Sequence, residues 1–175
     1  MMKLFKLSSI ILLILIVFQH KLIAETPHYV DFKFILNQSE AGKKAQTFLK
    51  SKLDKGIKKL KDKEKKLQEE EKKIIEQKKV ISQEEYKKKV TDLRNKVSSL
   101  QKERNTLLNS VAKQRTKARN ELLKNLNPII KDYMSEKKIR MVIDKKNLLL
   151  ADESLDITKD ITDLLNKKLK SIKLD

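Results

Sequence analysis

The chain has no cysteine and no tryptophan, and its 175 residues include only two glycines and two prolines. Without cysteine there is no disulfide framework, no thiolate nucleophile and no cysteine metal ligand. Aromatic residues make up 5% of the chain, which disfavours sandwich and barrel folds. The scarcity of glycine disfavours a glycine-rich nucleotide fold. Because 38% of the residues are charged, the composition instead favours long helices.

The sequence also lacks a catalytic constellation. His28 is the single histidine after residue 24, and a lone terminal histidine is typical of a surface position. The segment Gly42-Lys43-Lys44 lacks the earlier glycine and the following Ser or Thr of a phosphate-binding loop. Carboxylates are abundant, but they fall on helices predicted to be exposed, where nothing tunes them for acid–base work. We therefore predict no enzymatic activity, no cofactor and no metal site.

Residues 1–24 have the layout of a secretory signal peptide. Lys3 and Lys6 precede a largely apolar run over residues 7–18, and Ala24 ends the segment with a small residue. The run of about 12 residues is shorter than the roughly 20 that a transmembrane helix needs. Leu22 is large for its place before a cleavage site, so an uncleaved N-terminal anchor is the alternative interpretation.

From about Ser39 the sequence is helical in character for nearly 100 residues. A seven-residue repeat of apolar residues indicates a coiled-coil seam, at Leu53, Leu60, Leu67, Ile74 and Ile81. A second seam is interrupted only by Arg104, and it comprises Val90, Leu93, Val97, Leu100, Leu107 and Val111. Between the seams, Ser82 and Glu85 form a capping-box signature that starts a new helix. We predict an antiparallel helical hairpin over residues 43–135 with its tip near residues 80–85; one continuous rod is the alternative.

The flanking residues 25–42 and 136–175 are predicted to form a small α+β body. Residues 29–36 begin with a strand-like alternation, although helix starts equally well inside this stretch. Residues 139–144 are predicted to be a second strand, residues 145–147 its turn and residues 148–151 a returning strand. Asp156 is then positioned to cap a last helix, with its apolar face at Ile157, Ile161, Leu164, Leu165, Leu169 and Ile172.

Asn127-Pro128 punctuates the second long helix. Proline removes a backbone hydrogen bond, and Asn followed by Pro is a favourable helix start, so a kink or a short break is expected there.

The predicted body is too small and too open to be stable alone. Three short strands leave unpaired edges, and a body of about 60 to 80 residues often needs oligomerisation for support. Self-association through the strands is therefore expected, in an order that physics leaves open. The predicted oligomerisation residues are Val30, Phe32, Ile139, Met141, Val142, Ile143, Leu148, Leu149 and Leu150.

The positive charge is concentrated on the predicted hairpin. Residues 43–135 contain 28 Lys and Arg against 13 Asp and Glu, whereas the flanking segments contain 11 of each. Such an excess costs self-repulsion, so we interpret it as a surface that attracts acidic partners; solubilisation of exposed helices is the alternative. The predicted binding lysines flank the tip, at Lys72, Lys73, Lys78, Lys79, Lys87, Lys88 and Lys89.

Three patches of the sequence resemble the Skp/OmpH family of periplasmic chaperones. The first is the stretch from Tyr29 to Leu36 followed by Ser39-x-x-Gly42-Lys43, the second is the apolar strand that ends in Val142-x-Asp144, and the third is Asp156-Ile157-Thr158. The similarity spans essentially the whole chain after the signal segment. Its terminal patches are fairly specific, whereas any lysine-rich coiled coil looks like the hairpin.

The resemblance implies a homotrimer whose β body carries three helical arms around a cavity. It also implies an ATP-independent periplasmic holdase that binds unfolded outer-membrane proteins. The very high lysine content of the arms departs from the family pattern and leaves open how much apolar surface they offer. The alternatives are a structural spacer and a basic envelope protein that binds anionic lipid headgroups or nucleic acid. No nucleic-acid reader motif is present, and export argues against nucleic acid as a partner in the cell.

Overall fold

The structure, a computed structural model, describes residues 26–174. The predicted signal peptide and its cleavage site lie outside these residues. The elements in chain order are β1 (His28–Val30), α1 (Phe32–Gln38), α2 (Glu40–Gln77), α3 (Gln83–Lys137), β2 (Val142–Asp144) and α4 (Thr158–Lys168), with short 3-10 turns at Lys145–Asn147 and Glu153–Leu155. The predicted fold class is confirmed: the chain is mainly α, and a long helical hairpin projects from a small body that contains β structure.

The hairpin is formed by α2 and α3, which pack antiparallel, so the continuous rod is wrong. Each helix begins at a serine cap: Ser39 Oγ accepts from the Gly42 N–H at 3.2 Å, and Ser82 Oγ accepts from the Glu85 N–H at 3.1 Å. The side chains thereby satisfy amides that have no partner within the helix. Residues 78–82 connect the helices, so the tip lies slightly earlier in the chain than predicted.

The heptad repeat of α2 faces the partner helix. Leu60 and Ile74 are buried, and Leu53, Leu67 and Ile81 are half-buried. The second seam is less regular, because Val97 is half exposed and Arg104 is exposed as well. A pair of helices covers only a narrow stripe on each member, so a residue slightly off the stripe stays in water.

Helix α3 continues through Pro128, so the expected short break at Asn127 is wrong. Leu126, Ile129 and Ile130, on either side of this proline, are all buried in the body. Burial of three large apolar side chains outweighs the lost hydrogen bond, because each contributes roughly 1.5–3 kcal/mol. The helix ends at Lys137, where Lys138 adopts a left-handed conformation with φ of 57°.

The β structure is a parallel pair rather than a hairpin. Tyr29 of β1 pairs with Ile143 of β2, and its opposite side forms a parallel bridge to Asp156. The predicted first strand is shorter than the alternation suggested, because Asp31 caps α1 by accepting from the Phe34 N–H at 2.7 Å. The second strand is likewise limited to three residues.

The predicted returning strand at residues 148–151 is wrong. These residues form no strand, and the outer edge of β2, where a returning strand would pair, has no strand beside it among residues 26–174. The turn at Lys145–Asn147 is a 3-10 turn rather than a hairpin turn, and Asp144 caps it by accepting from the Lys146 N–H at 3.3 Å. The chain therefore leaves the sheet after β2, and Leu149 and Leu150 are 97% and 90% exposed.

The main core joins β1, α1, α3 and α4. Its fully buried side chains are Val30, Ile35, Leu126, Ile161 and Leu165. Helix α4 ends at Lys168, earlier than the apolar face predicted, and residues 169–174 continue without regular structure. Asp156 accepts from the Thr158 N–H at 2.9 Å, although the cap position itself is Ile157.

Candidate functional site

Polar contacts join α2 and α3 along one flank of the hairpin. Lys63 Nζ lies 2.6 Å from Glu103, and Lys96 Nζ lies 2.6 Å from Glu70. The next rung towards the tip is a hydrogen bond from Lys89 Nζ to Gln77 at 2.8 Å. On each helix these residues recur every seven positions, so they share one face. We call this side the polar flank.

The opposite side of the hairpin, the apolar flank, carries exposed hydrophobic side chains. Ile57 of α2 is about half exposed, and so are Val97 and Leu108 of α3. One ion pair crosses this flank, between Arg104 and Glu64 at 3.5 Å. The hairpin is therefore asymmetric, with polar rungs on one side and unpaired apolar surface on the other.

The seven predicted binding lysines surround one end of the hairpin. Two lie in the last turns of α2, two in the tip and three in the first turns of α3, and all are exposed except the half-buried Lys89. Lys89 is engaged by Gln77 and by Glu85 at 3.4 Å, and Lys78 lies 5.7 Å from the centre of the Tyr86 ring. Among the described residues, the other five form no ion pair.

Two apolar residues within this lysine cluster were missed by the sequence reasoning. Val80 is 80% exposed and Ile75 is more than half exposed. The available signal was their position: each is next to a member of the heptad seam but outside it. The tip therefore presents exposed apolar side chains among exposed lysines.

The nine predicted oligomerisation residues differ in exposure and fall into three groups. Val30 is fully buried in the chain's own core, and the half-buried members are Phe32, Ile139, Val142, Ile143 and Leu148. Met141, Leu149 and Leu150 are exposed. The three leucines line a groove of about 960 Å³ together with Tyr29 and Phe34.

Two tyrosines of the body have raised pKa values. Tyr133 donates a hydrogen bond to Asp160 Oδ2 at 2.5 Å. Burial, followed by this hydrogen bond, raises the pKa of Tyr133 to about 12. Burial also raises the pKa of Tyr29, and Asp156 adds to that effect. Within residues 26–174, no three acidic, His or Cys side chains are grouped to hold a metal ion, and none of the helices has the length and apolarity to cross a membrane.

Comparisons with known proteins agree with this architecture. The profile of the family described as "Outer membrane protein (OmpH-like)" matches residues 28–165. The crystal structure of a candidate outer membrane chaperone (OmpH-like) from Caulobacter crescentus matches with a TM-score of 0.79 and 21% identity, over 86% of this chain and 90% of that chain. At this identity the structural likeness shows the fold alone. No curated protein matches the chain.

Proposed function

The chain belongs to the OmpH-like family, and we propose that it is an ATP-independent periplasmic holdase, which binds unfolded outer-membrane proteins and prevents their aggregation. Family membership supports a chaperone role in general. The observation that carries the more specific proposal is the hairpin, where positive charge is concentrated beside exposed apolar side chains. Helix α2 alone contains 38 residues, so it reaches about 57 Å at 1.5 Å per residue.

This surface suits an unfolded client. Unfolded chains expose apolar segments and strand edges that aggregate with one another. Exposed side chains along the arm, such as Ile57, Leu108 and Val80, offer many small apolar contacts rather than one deep pocket. Contacts of this kind on several arms bind by avidity, so no single contact must be strong. The surrounding lysines attract acidic clients and accelerate encounter, an effect that fades with salt.

We further propose that the protein assembles as a homotrimer through its body. The outer edge of β2 pairs with no strand among residues 26–174, and unpaired edges invite association. Met141, which precedes β2, and Leu149 and Leu150, which follow it, are exposed, and His28 Nδ1 is buried without a hydrogen-bond partner within the described chain. Contact with further copies would cover the leucines. The order of three follows from the family resemblance, and three arms would enclose a cavity for the client.

The localisation proposed is the periplasm, reached after cleavage behind Ala24. Mass spectrometry of the protein from the envelope fraction should show a chain that starts at Glu25. A membrane-embedded product that retains Met1 would contradict this proposal.

The holdase function is tested by aggregation. An unfolded outer-membrane β-barrel protein, diluted from urea, should scatter light strongly alone and weakly when equimolar trimer is present, equally with and without ATP. Unchanged scattering would refute the proposal and would leave a structural spacer as the interpretation.

Binding to anionic lipid headgroups is the second candidate, and the apolar Val80 within the lysine cluster favours it. Lysines around an exposed apolar residue are typical of surfaces that dock on a membrane interface. Cosedimentation with vesicles that contain 30% anionic lipid separates the candidates. A protein that binds vesicles without suppressing aggregation would have the lipid function alone.

A further inference from the structure

The seam between α2 and α3 is open on one side near the body. A groove of about 990 Å³ lies there, with an apolar floor that includes Leu49, Leu53, Val111 and Leu122. Four cations line it: Lys43 and Lys50 from α2, and Arg115 and Arg119 from α3. The residues that line this groove, all of them in the described part of the chain, include no Asp or Glu.

The other side of the same seam is already covered by the chain's own C-terminal segment. Leu174 is buried in one cluster with Leu49 and Val111, which also belong to the groove floor. The side chain of Gln114 donates to the main-chain carbonyl of Leu174. Gln114 and Arg115 are consecutive, so their side chains point about 100° apart around α3. On one side, the seam thus binds the irregular C-terminal segment through the apolar side chain and the main-chain carbonyl of Leu174. The other side of the seam is left open.

The charge of the groove is uncompensated, unlike that of the polar flank. Lys63 and Lys96 each contact a glutamate across the hairpin, whereas no described residue forms an ion pair with any of the four groove cations. Like charges that face one groove repel, and a ligand that carries carboxylates removes this repulsion. Arg115 and Arg119 are suited to carboxylates, because the planar guanidinium donates two parallel hydrogen bonds to both oxygens.

We propose that this groove binds an extended client segment in which apolar residues alternate with Asp or Glu, an assignment that rests on the proposed holdase function. From Lys43 to Leu53 α2 rises about 15 Å, the length of four to five extended residues. In an extended segment alternate side chains point to opposite faces, so the apolar set contacts the floor and the acidic set faces outward. Lys and Arg side chains are long enough to lie beside the segment and reach those carboxylates.

The test compares two pairs of charge reversals on the same helix. Arg115→Glu with Arg119→Glu changes the groove. Lys113→Glu with Lys117→Glu is the matched control, because both lysines are exposed, have the same spacing of four and do not line the groove. The probe is a fluorescein-labelled nine-residue peptide of alternating Leu and Glu, with a Leu–Lys peptide and a Ser–Glu peptide as comparisons. Circular dichroism checks that all variants keep their helices.

Fluorescence anisotropy should show that the wild-type protein binds the Leu–Glu peptide more tightly than either comparison peptide. The groove variant should bind it about tenfold more weakly, whereas the control variant should change by less than about twofold. Equal losses in both variants would overturn the proposal in favour of general electrostatic attraction. Groove-dependent binding of laurate without binding of the peptide would overturn it in favour of a lipid site.

The same variants separate this inference from the holdase function. If the wild-type protein suppresses aggregation but both variants bind the peptide alike, the groove assignment is wrong and the holdase function stands. If peptide binding depends on the groove but the wild-type protein does not suppress aggregation, the groove stands as a peptide site and the holdase proposal fails.

Discussion

Gly42→Ala tests the packing by which the body holds the base of the arm. Gly42 lies buried in the first turn of α2, directly against the end of α1. A methyl group added at Gly42 would lie 2.1 Å from the backbone oxygen of Leu36 and 2.9 Å from Ser39 Oγ. Neither helix is free to move aside easily, because the Glu40 N–H donates to Asn166 of α4 at 2.8 Å. Glycine is therefore required here by close approach of two backbones.

Opposing effects set the size of the change. Alanine in place of glycine favours a helix interior by about 1 kcal/mol. Overpacking against a backbone atom costs about 1–3 kcal/mol or more, and loss of the Ser39 cap costs about 1 kcal/mol. We therefore expect Gly42→Ala to lower the free energy of unfolding by about 1–3 kcal/mol.

Gly56→Ala is the matched control on the same helix. A methyl group there would lie 2.5 Å from a terminal methyl carbon of Leu107, and a leucine side chain can rotate away at lower cost than a backbone. Its free energy of unfolding should stay within about 1 kcal/mol of the wild-type value, since the gain in helix propensity offsets the repacking. Urea unfolding followed by far-UV circular dichroism measures both variants. A Gly42→Ala protein that unfolds at the wild-type midpoint or above would refute the reasoning.

Three other outcomes follow from the structure. The folded pKa of Tyr133, about 12, lies above the usual tyrosine value near 10, so the contribution of Tyr133 to stability is complete below pH 10 and is lost as the pH rises through 12. A late tyrosine titration, followed by absorbance at 295 nm, should therefore disappear in Tyr133→Phe. A titration that the substitution leaves unchanged would contradict the assignment. Leu149→Asp with Leu150→Asp should lower the mass in sedimentation, whereas an unchanged mass would exclude these leucines from the interface. Charge reversal to Glu of the five tip lysines without ion pairs should slow the capture of an acidic unfolded membrane protein and flatten the salt dependence of the association rate. Unaltered association rates in a folded variant would reject electrostatic recruitment. The five lysines are Lys72, Lys73, Lys79, Lys87 and Lys88.

The hairpin can be predicted from the sequence because its signals are patterns among residues that are close together in the chain. A repeat of seven indicates one helix face directly, and the five residues of the first seam, from Leu53 to Ile81, are all buried or half-buried. Ser82 was identifiable as a cap because the capping box depends on Glu85, only three residues away. Both features can be recognised without knowledge of what packs against the helix from elsewhere.

The features that depend on contacts between residues far apart in the sequence could not be predicted from local patterns. The run Leu148-Leu149-Leu150 has the composition of a strand, but the 3-10 turn at Lys145–Asn147 leads the chain away from β2, and no local pattern reveals this. The missing N–H of Pro128 predicts a break in the helix, whereas the helix continues because the residues around Pro128 are buried in the core of the body. The groove cations of α2 are more than 60 residues away in sequence from those of α3, so Lys50 and Arg115 line one groove only through the register of the hairpin.

The register of the hairpin also brings opposite charges together across the two helices, which helps a strongly basic hairpin to remain folded. The effect of salt on helix stability can therefore be distinguished from its effect on the recruitment of clients. The rungs of the polar flank, such as the contact of Lys63 with Glu103, are exposed, and pairs of this kind contribute about 0.2–1 kcal/mol each. Lysines outnumber such partners, so repulsion between neighbouring cations acts along most of the arm. Salt screens both effects, but it relieves more repulsive pairs than it weakens attractive rungs. Added salt should therefore maintain or raise the helix content of the arm while it slows the capture of acidic clients. A fall of both together would mean that loss of structure, rather than loss of attraction, limits binding.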